Sequence, residues 1–313
     1  MPNKVILIGC GNVGTSYAYA MINQKTFIEE LVLIDINKEK AVGEALDLNH
    51  CLAYSPSKLK IRVGDYEDVK NAKMVCICAG LNQKPGESRL DLEEKNKKII
   101  ENIVKNVMKY SFQGIFLIAT NPVDIITDTV FRISKIAPNR VIGTGTSLDT
   151  ARLRFLIGEK LEINPKNIHA YIIGEHGDSE FFPLSNATIG LNSITEYLTE
   201  EELKDISLNV KNSAYEIINK KGFTNFGIGI CLVRITNAIF QNENSILTVS
   251  CYNKEHDLYI SQPAIINKNG IKEVIKLNLT EEEQKLFLNS LNILKKWIEK
   301  LPFIYSFYYI PFF

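Results

Sequence analysis

The sequence predicts an α/β protein, a doubly wound parallel sheet followed by a mixed α+β second half. Three observations predict it. Residues 5–35 read as strand, glycine turn, helix, strand and acid; Met74 to Ala79 (MVCICA) is apolar without polar alternation; and beyond residue 150 the pattern changes to amphipathic helices and consecutive short strands.

The first unit justifies itself residue by residue. Val5 to Ile8 is a β-branched run, Gly9, Gly11 and Gly14 break it, and Val13 to Met21 has helical character. Gly9 permits a tight turn, Gly11 lets the main chain approach a pyrophosphate, and Gly14 lets helix and strand pack closely, while free helix N–H groups face the phosphates. A second strand, Leu31 to Ile34, ends on Asp35. Its carboxylate is placed to accept hydrogen bonds from a ribose diol and to repel a 2′-phosphate, which favours NAD over NADP. The glycines alone also suit a βαβ unit that binds nothing; the preceding strand and the acid 21 residues after Gly14 favour the dinucleotide. Gly9, Gly11, Asn12, Val13, Gly14, Asp35, Ala79, Gly80 and Asn121 are the candidate cofactor residues.

Lys38 to Leu52 then reads as a helix and Leu59 to Val63 as a strand, before the buried strand Met74 to Ala79. Residues 79–91, AGLNQKPGESRLD, form a loop turned by Pro85 and Gly86 at the C-terminal end of that strand, where open α/β sheets bind ligands, and long enough to act as a lid. A helix from Leu92 to Lys109 leads to the strand Ile115 to Ala119, which runs into Thr120-Asn121-Pro122-Val123. A short strand at Val141 and Ile142 and a helix from Leu148 to Lys160 follow, so the expected division is 1–146 and 147–313.

In the second half His169 to Ile173 suggests a strand, and Thr199 with Glu202 a capping box opening a helix with the stripe Leu203, Ile206, Val210, Ala214 and Ile217. Gly222 interrupts it, and a helix from Asn225 to Phe240 follows. Ser245 to Tyr252, Leu258 to Ile266 and Val274 to Leu277 read as antiparallel strands. Thr280 and Glu283 open a last helix striped by Phe287, Leu291, Leu294, Ile298 and Leu301, which Pro302 stops. The aromatic tail 303–313 is too short to span a bilayer; it either packs on the domain or a partner subunit, touches a membrane surface, or extends without a role.

Bulk properties exclude several classes. In 313 residues there are 36 Lys and Arg against 36 Asp and Glu, so no overall field draws nucleic acid or an anionic membrane. An anionic substrate must be held by particular arginines. The six cysteines, Cys10, Cys51, Cys76, Cys78, Cys231 and Cys251, form no CxxC pair and read as free thiols rather than disulfides or a zinc site. The opening MPNKVILIG enters the first strand directly, which leads to an expectation of no signal peptide and a reducing, cytoplasmic setting.

Chemistry concentrates at few positions. His176, between glycines in GEHGDSE, suits a catalytic or a structural loop residue; a metal role lacks companions, since His50, His169 and His256 are not spaced with it as ligands. Asp149 and Arg152, at i and i+3 of a helix start, are either an ordinary ion pair or two tools: Asp149 fixing the tautomer of His176, Arg152 forking a substrate carboxylate. Arg89, in the loop, is either solvated or closes over a developing negative oxygen. Asn121 offers an amide at a central strand end, or is a plain turn residue before proline. Together these suit hydride transfer from a nicotinamide coupled to proton exchange at His176.

GCGNVG with Asp35, AGLNQKPGESRLDL, TNPVD, SLDTARLR, GEHGDSE and KKGFTNFGI resemble, in order from Lys4 to about Leu301, the bacterial L-lactate dehydrogenases. The resemblance implies that His176 is the acid/base group with Asp149 its partner, that Arg152 holds the carboxylate and Arg89 the carbonyl oxygen. It further implies that Asn121 contacts the carbonyl region and the nicotinamide amide, that Thr224 lines the substrate pocket, and that the Asn121–Pro122 bond is cis. Gln83 stands where related malate dehydrogenases carry arginine, which implies pyruvate and L-lactate rather than oxaloacetate and malate. A malate or broader 2-hydroxyacid dehydrogenase, and a dinucleotide-binding protein without turnover, are the competing readings. The resemblance also implies a glycolytic, fermentative homotetramer with fructose 1,6-bisphosphate bound at Arg154 and His169, positions that local physics alone reads as structural. Two places depart from the family: the short connection from Cys251 to Tyr259, and Gln262 before Pro263.

Overall fold

The computed structural model describes residues 3–24, 26–81 and 89–300, with the side chains of 89–93 and 300 outside that description. Its first half runs β1 (Lys4–Ile8), α1 (Asn12–Ile22), β2 (Glu30–Ile34), α2 (Lys38–Cys51), β3 (Lys60–Val63), β4 (Met74–Ile77), α3 (Arg89–Met108), β5 (Ile115–Ile118), α4 (Val123–Ser134) and β6 (Val141–Gly143). These six strands pair in parallel in the order β3-β2-β1-β4-β5-β6. The alternation that MVCICA lacks in polarity is present in space. Val5, Leu7, Leu31, Leu33, Met74 and Cys76 face α1 and α2, while Ile6, Ile8, Val32, Ile34, Val75 and Ile77 face α3 and α4, so both sheet faces are apolar.

The second half adds α5 (Ser147–Leu161), β7 (Ile168–His169), β8 (Thr188–Ile189), β9 (Asn192–Ser193), α6 (Glu200–Lys221), α7 (Phe226–Phe240), β10 (Ser245–Asn253), β11 (Leu258–Asn267), β12 (Gly270–Val274) and α8 (Glu281–Lys300). The antiparallel strands β10, β11 and β12 do not stand apart. Ser250 pairs with Gly143, joining them to β6 in a nine-stranded sheet. Glycine makes the join possible: a Cβ on Gly143 would lie 2.8 Å from the Ser250 Cβ. Helix α7 packs on the first core through Leu232 and Ile235, with Tyr17 and Thr236 hydroxyls 2.7 Å apart. A separate core of Leu153, Ile157, Ile168, Leu203, Ile206 and Val210 unites α5, α6 and the small sheet.

Several sequence expectations need correction. Helix α4 was not expected; its VDIITDTV run is rich in β-branched residues, which favour a strand locally, and only packing between the sheet and α8 commits it to a helix. β12 begins at Gly270 rather than Val274, because Gly270 (φ +93°) turns the chain against the Asn139 carbonyl. The strand expected over His169 to Ile173 shrinks to β7, with a lone bridge from Ile173 to Phe181. In α6 the stripe is buried only to Val210, since the helix outruns the core beneath it and Ile217 is exposed. Capping boxes close Thr199 with Glu202, and reciprocal hydrogen bonds join Thr280 and Glu283. All six cysteines are free. Among the described residues no helix is long and apolar enough to cross a membrane. Leu301 and the aromatic tail lie outside the described residues.

Candidate active site

The glycine turn does what its residues require. Gly9 sits at φ +101°, and a Cβ there would lie 2.5 Å from the Ala79 nitrogen, so the turn rests on the end of β4. A Cβ on Gly14 would come 2.0 Å from the Gly9 carbonyl oxygen, whereas one on Gly11 would meet nothing within 4 Å. That open side of Gly11, beside the N-terminus of α1, is room for a pyrophosphate. Asp35 is aimed at the same place, its Oδ2 accepting from the Cys10 N–H at 2.7 Å and its Oδ1 from the Asn37 N–H at 2.9 Å. Asn12 is exposed and Val13 half-buried at the start of α1. The residues therefore fit NAD. We expect Gly14→Ala to cost about 1–3 kcal/mol in denaturant unfolding, since backbone must yield. Gly11→Ala should leave stability near wild type yet weaken NADH binding in a fluorescence titration; equal effects of both changes would refute this division.

Beside the turn, the buried Asn96, unassigned from the sequence, stitches two strand ends together. Its Oδ1 accepts from the Leu81 N–H at 2.7 Å and its Nδ2 donates to the Asn121 carbonyl at 3.2 Å. Gly80 packs against Thr120, where a Cβ would lie 2.7 Å from the methyl carbon. Asn121 is thus held at the end of β5, exposed and before a cis peptide bond to Pro122.

That same strand end positions the histidine. The first turn of α4 carries Asp124, whose Oδ2 accepts from the His176 N–H at 2.7 Å and whose Oδ1 accepts from the Ser261 hydroxyl at 3.3 Å. Gly174, at φ +101°, exchanges two backbone hydrogen bonds with Ser261 of β11. The loop carrying His176 is therefore pinned from two sides. Burial pushes the Asp124 carboxyl up to about 6, partly offset by hydrogen bonds and by His176.

From the first two turns of α5 come Asp149 and Arg152. Asp149 Oδ2 lies 2.8 Å from His176 Nδ1, and Arg152 Nη1 donates to Asp149 Oδ1 at 2.9 Å. The Nδ1 contact is close but poorly aligned, so it acts as a charge contact in this ligand-free geometry. Glu180 Oε2 stands 3.8 Å from the same nitrogen. The Asp149 and Arg152 side chains are 4% and 13% exposed, His176 26%. Burial opposes the charged imidazole, but the nearby Asp149 charge, with Glu180 adding, holds its pKa well above the ordinary value. Burial likewise opposes the Asp149 charge, and His176 and Arg152 overcome it, lowering that carboxyl.

Not every expected residue joins this group. Thr224 lies half-buried in the loop between α6 and α7, and among the described residues no hydrogen bond or ion pair ties it to His176 or Arg152. Arg154 lies over the Tyr171 ring at 4.9 Å, its Nε donating to the Ala170 carbonyl at 2.9 Å, one residue from the exposed His169. Gln83 lies outside the described residues; Arg89 begins α3, but its side chain also lies outside them. Glu180 and Asp124 carried no role in the sequence reading, although GEHGDSE and TNPVD contain them; their spacing signalled position but not burial.

A dinucleotide turn on a doubly wound sheet, with an imidazole backed by a carboxylate and a guanidinium beside the strand ends, defines an NAD-dependent dehydrogenase. Residues 3–143 match the lactate/malate dehydrogenase NAD binding domain and residues 146–302 the lactate/malate dehydrogenase alpha/beta C-terminal domain. L-lactate dehydrogenase 1 of Peribacillus psychrosaccharolyticus is 52% identical over 304 residues, covering 94% of this chain and 95% of the relative. L-lactate dehydrogenase 2 of Bacillus anthracis is 50% identical, covering 94% of this chain and 96% of that relative. Among solved structures, the ligand-bound minor L-lactate dehydrogenase of Enterococcus mundtii superposes with a TM-score of 0.94 at 44% identity, over 96% of this chain and 99% of that one. A lactate dehydrogenase from a Medee basin deep-sea metagenome library superposes at 0.93 with 50% identity, over 95% and 98%. The chain belongs to the lactate/malate dehydrogenase family, among its NAD-dependent L-lactate dehydrogenases.

Proposed function

We propose that this chain interconverts pyruvate and L-lactate, with His176 moving the proton, Asp149 holding the ring, Arg152 gripping the carboxylate and Arg89 polarising the carbonyl. The observation that carries the reading is the shared Asp149 carboxylate, one oxygen beside His176 Nδ1 and the other taken by Arg152. When bound, NAD supplies or takes the hydride at the substrate carbon. With Nδ1 facing Asp149, Nε2 is the nitrogen left for substrate. Protonated, it donates to the carbonyl oxygen of pyruvate; neutral, it takes the hydroxyl proton of lactate. Arg152 spends one N–H on Asp149 and keeps the rest of its fork for the organic anion, in a dry setting where the pairing is strong. Asn121 orients the substrate carbonyl region, and Thr224 lines the pocket. Neutral Gln83 gives no counter-charge to a second carboxylate, which favours pyruvate over oxaloacetate. In this reading 1–146 hold the cofactor and 147–313 supply the acid/base and carboxylate-binding groups. Initial rates of NADH oxidation with each acid test it; faster turnover of oxaloacetate would overturn the substrate assignment.

The same reading makes the protein a cytoplasmic homotetramer of fermentative glycolysis, activated by fructose 1,6-bisphosphate. What supports the effector is Arg154, anchored to Ala170 next to the exposed His169, two basic side chains that two-fold symmetry would double. Adding the bisphosphate should lower the apparent KM for pyruvate in the wild type and not in Arg154→Gln. An unchanged KM at several pH values would reject the effector.

A further inference from the structure

We propose that Glu180 is a second positioning residue for proton transfer, so that His176 Nδ1 sits in a cradle of two carboxylates and the Glu180 charge sets how firmly the ring keeps its proton. The inference rests on the reading of His176 as the acid/base group.

The geometry is specific. Glu180 Oε2 is 3.8 Å from Nδ1, Asp149 Oδ2 is 2.8 Å away, and the two acidic side chains are 5% and 4% exposed. Glu180 is not a swinging surface acid. Its N–H donates to the Gly177 carbonyl at 3.2 Å, and its neighbour Phe181 exchanges two backbone hydrogen bonds with Ile173, so the turn from His176 is closed on itself. The 2.8 Å separation of Nδ1 and Oδ2 suits a charge contact and is too short for two ligands of one zinc ion, whose bonds of about 2.0–2.2 Å hold them farther apart.

The charges around Glu180 come from every neighbouring segment. Asp149 and Arg152 face the cradle from α5, Asp124 holds the His176 backbone from α4, and Glu175 lies in the same loop. Lys211 reaches across from α6 and donates to the Asp178 carbonyl at 3.2 Å. Burial is the largest influence on Glu180 and lifts its carboxyl to about 7; Asp149 pushes the same way, while His176 and Lys211 oppose it. Glu180 therefore gains its charge as the pH rises through neutrality. Each step in that direction strengthens the hold on the imidazole proton, and the proton-donating form of His176 persists to higher pH than Asp149 alone would allow.

The test compares pH profiles of kcat/KM for pyruvate reduction in the full-length enzyme, wild type against Glu180→Gln and Glu180→Asp. Removing the charge should move the alkaline limb down by about 0.5–1 pH unit, so that the deficit of Glu180→Gln grows about 3- to 10-fold from pH 6 to pH 9. Glu180→Asp, which keeps the charge one methylene farther away, should fall between. Profiles displaced by one constant factor at all pH values would mean a merely structural role and overturn the proposal. Should Glu180→Gln fail to fold, an unshifted limb in Glu180→Asp overturns it equally. A full rate in His176→Asn would instead overturn the acid/base reading on which this one rests, so the two failures are distinguishable.

Discussion

Replacing His176 by asparagine should lower kcat/KM for pyruvate reduction by about 100- to 10,000-fold while NADH binding stays near wild type, as a positioned acid/base group is typically worth that much. Asparagine can hydrogen-bond to the substrate oxygen but has no proton to give at neutral pH. The backbone N–H that binds Asp124 survives the change, so the loop should keep its place. The wild-type pH dependence follows from the same ring. Its folded pKa is raised well above 6.5 by Asp149 and Glu180 against the opposing effect of burial. The donor form is then fully present below 6.5, and pyruvate reduction declines only as pH rises through the higher folded value. Lactate oxidation needs the neutral ring and should rise over that same limb. Steady-state rates in both directions check this; a reduction rate already falling between pH 5.5 and 6.5 would contradict the Asp149 contact.

Exchanging Gln83 for arginine should swing the ratio of kcat/KM for pyruvate to that for oxaloacetate by about two to three orders of magnitude. The physical cause is the far carboxylate of oxaloacetate, which loses water on binding. Beside glutamine it has no counter-ion; beside a guanidinium it gains a charge-assisted pair, and such buried pairs are worth about 2–5 kcal/mol. The methyl group of pyruvate gains nothing from the arginine and faces an uncompensated cation instead. An unchanged ratio would show that residue 83 does not face the bound acid, and the specificity assignment would fall while the acid/base chemistry stood.

Much of the cofactor half was legible in the chain because its rules are local. A glycine at φ +101° and a helix start open at Gly11 are turn properties, readable from spacing within a dozen residues. The doubly covered strands were legible from their missing polar alternation. Helix α4 was not, because the β-branched residues of its VDIITDTV run favour a strand locally and the helix is decided by its packing. Nor was the joining of β10 to β6, which needs only the small residues Gly143 and Ser250 at one crossing point.

The sequence by itself determined the family, the cofactor and the identity of the chemical groups, since glycine spacing, Asp35 and the motif residues carry these without reference to distant neighbours. Tertiary structure decided what those groups are able to do. Only folding brings His176, Asp149, Arg152 and Glu180, from a loop and the start of α5, into one dry cluster, and only there do burial and opposing charges raise one proton affinity and lower another. Desolvation and Coulomb attraction depend on everything packed around a group, and most of that packing comes from remote parts of the chain.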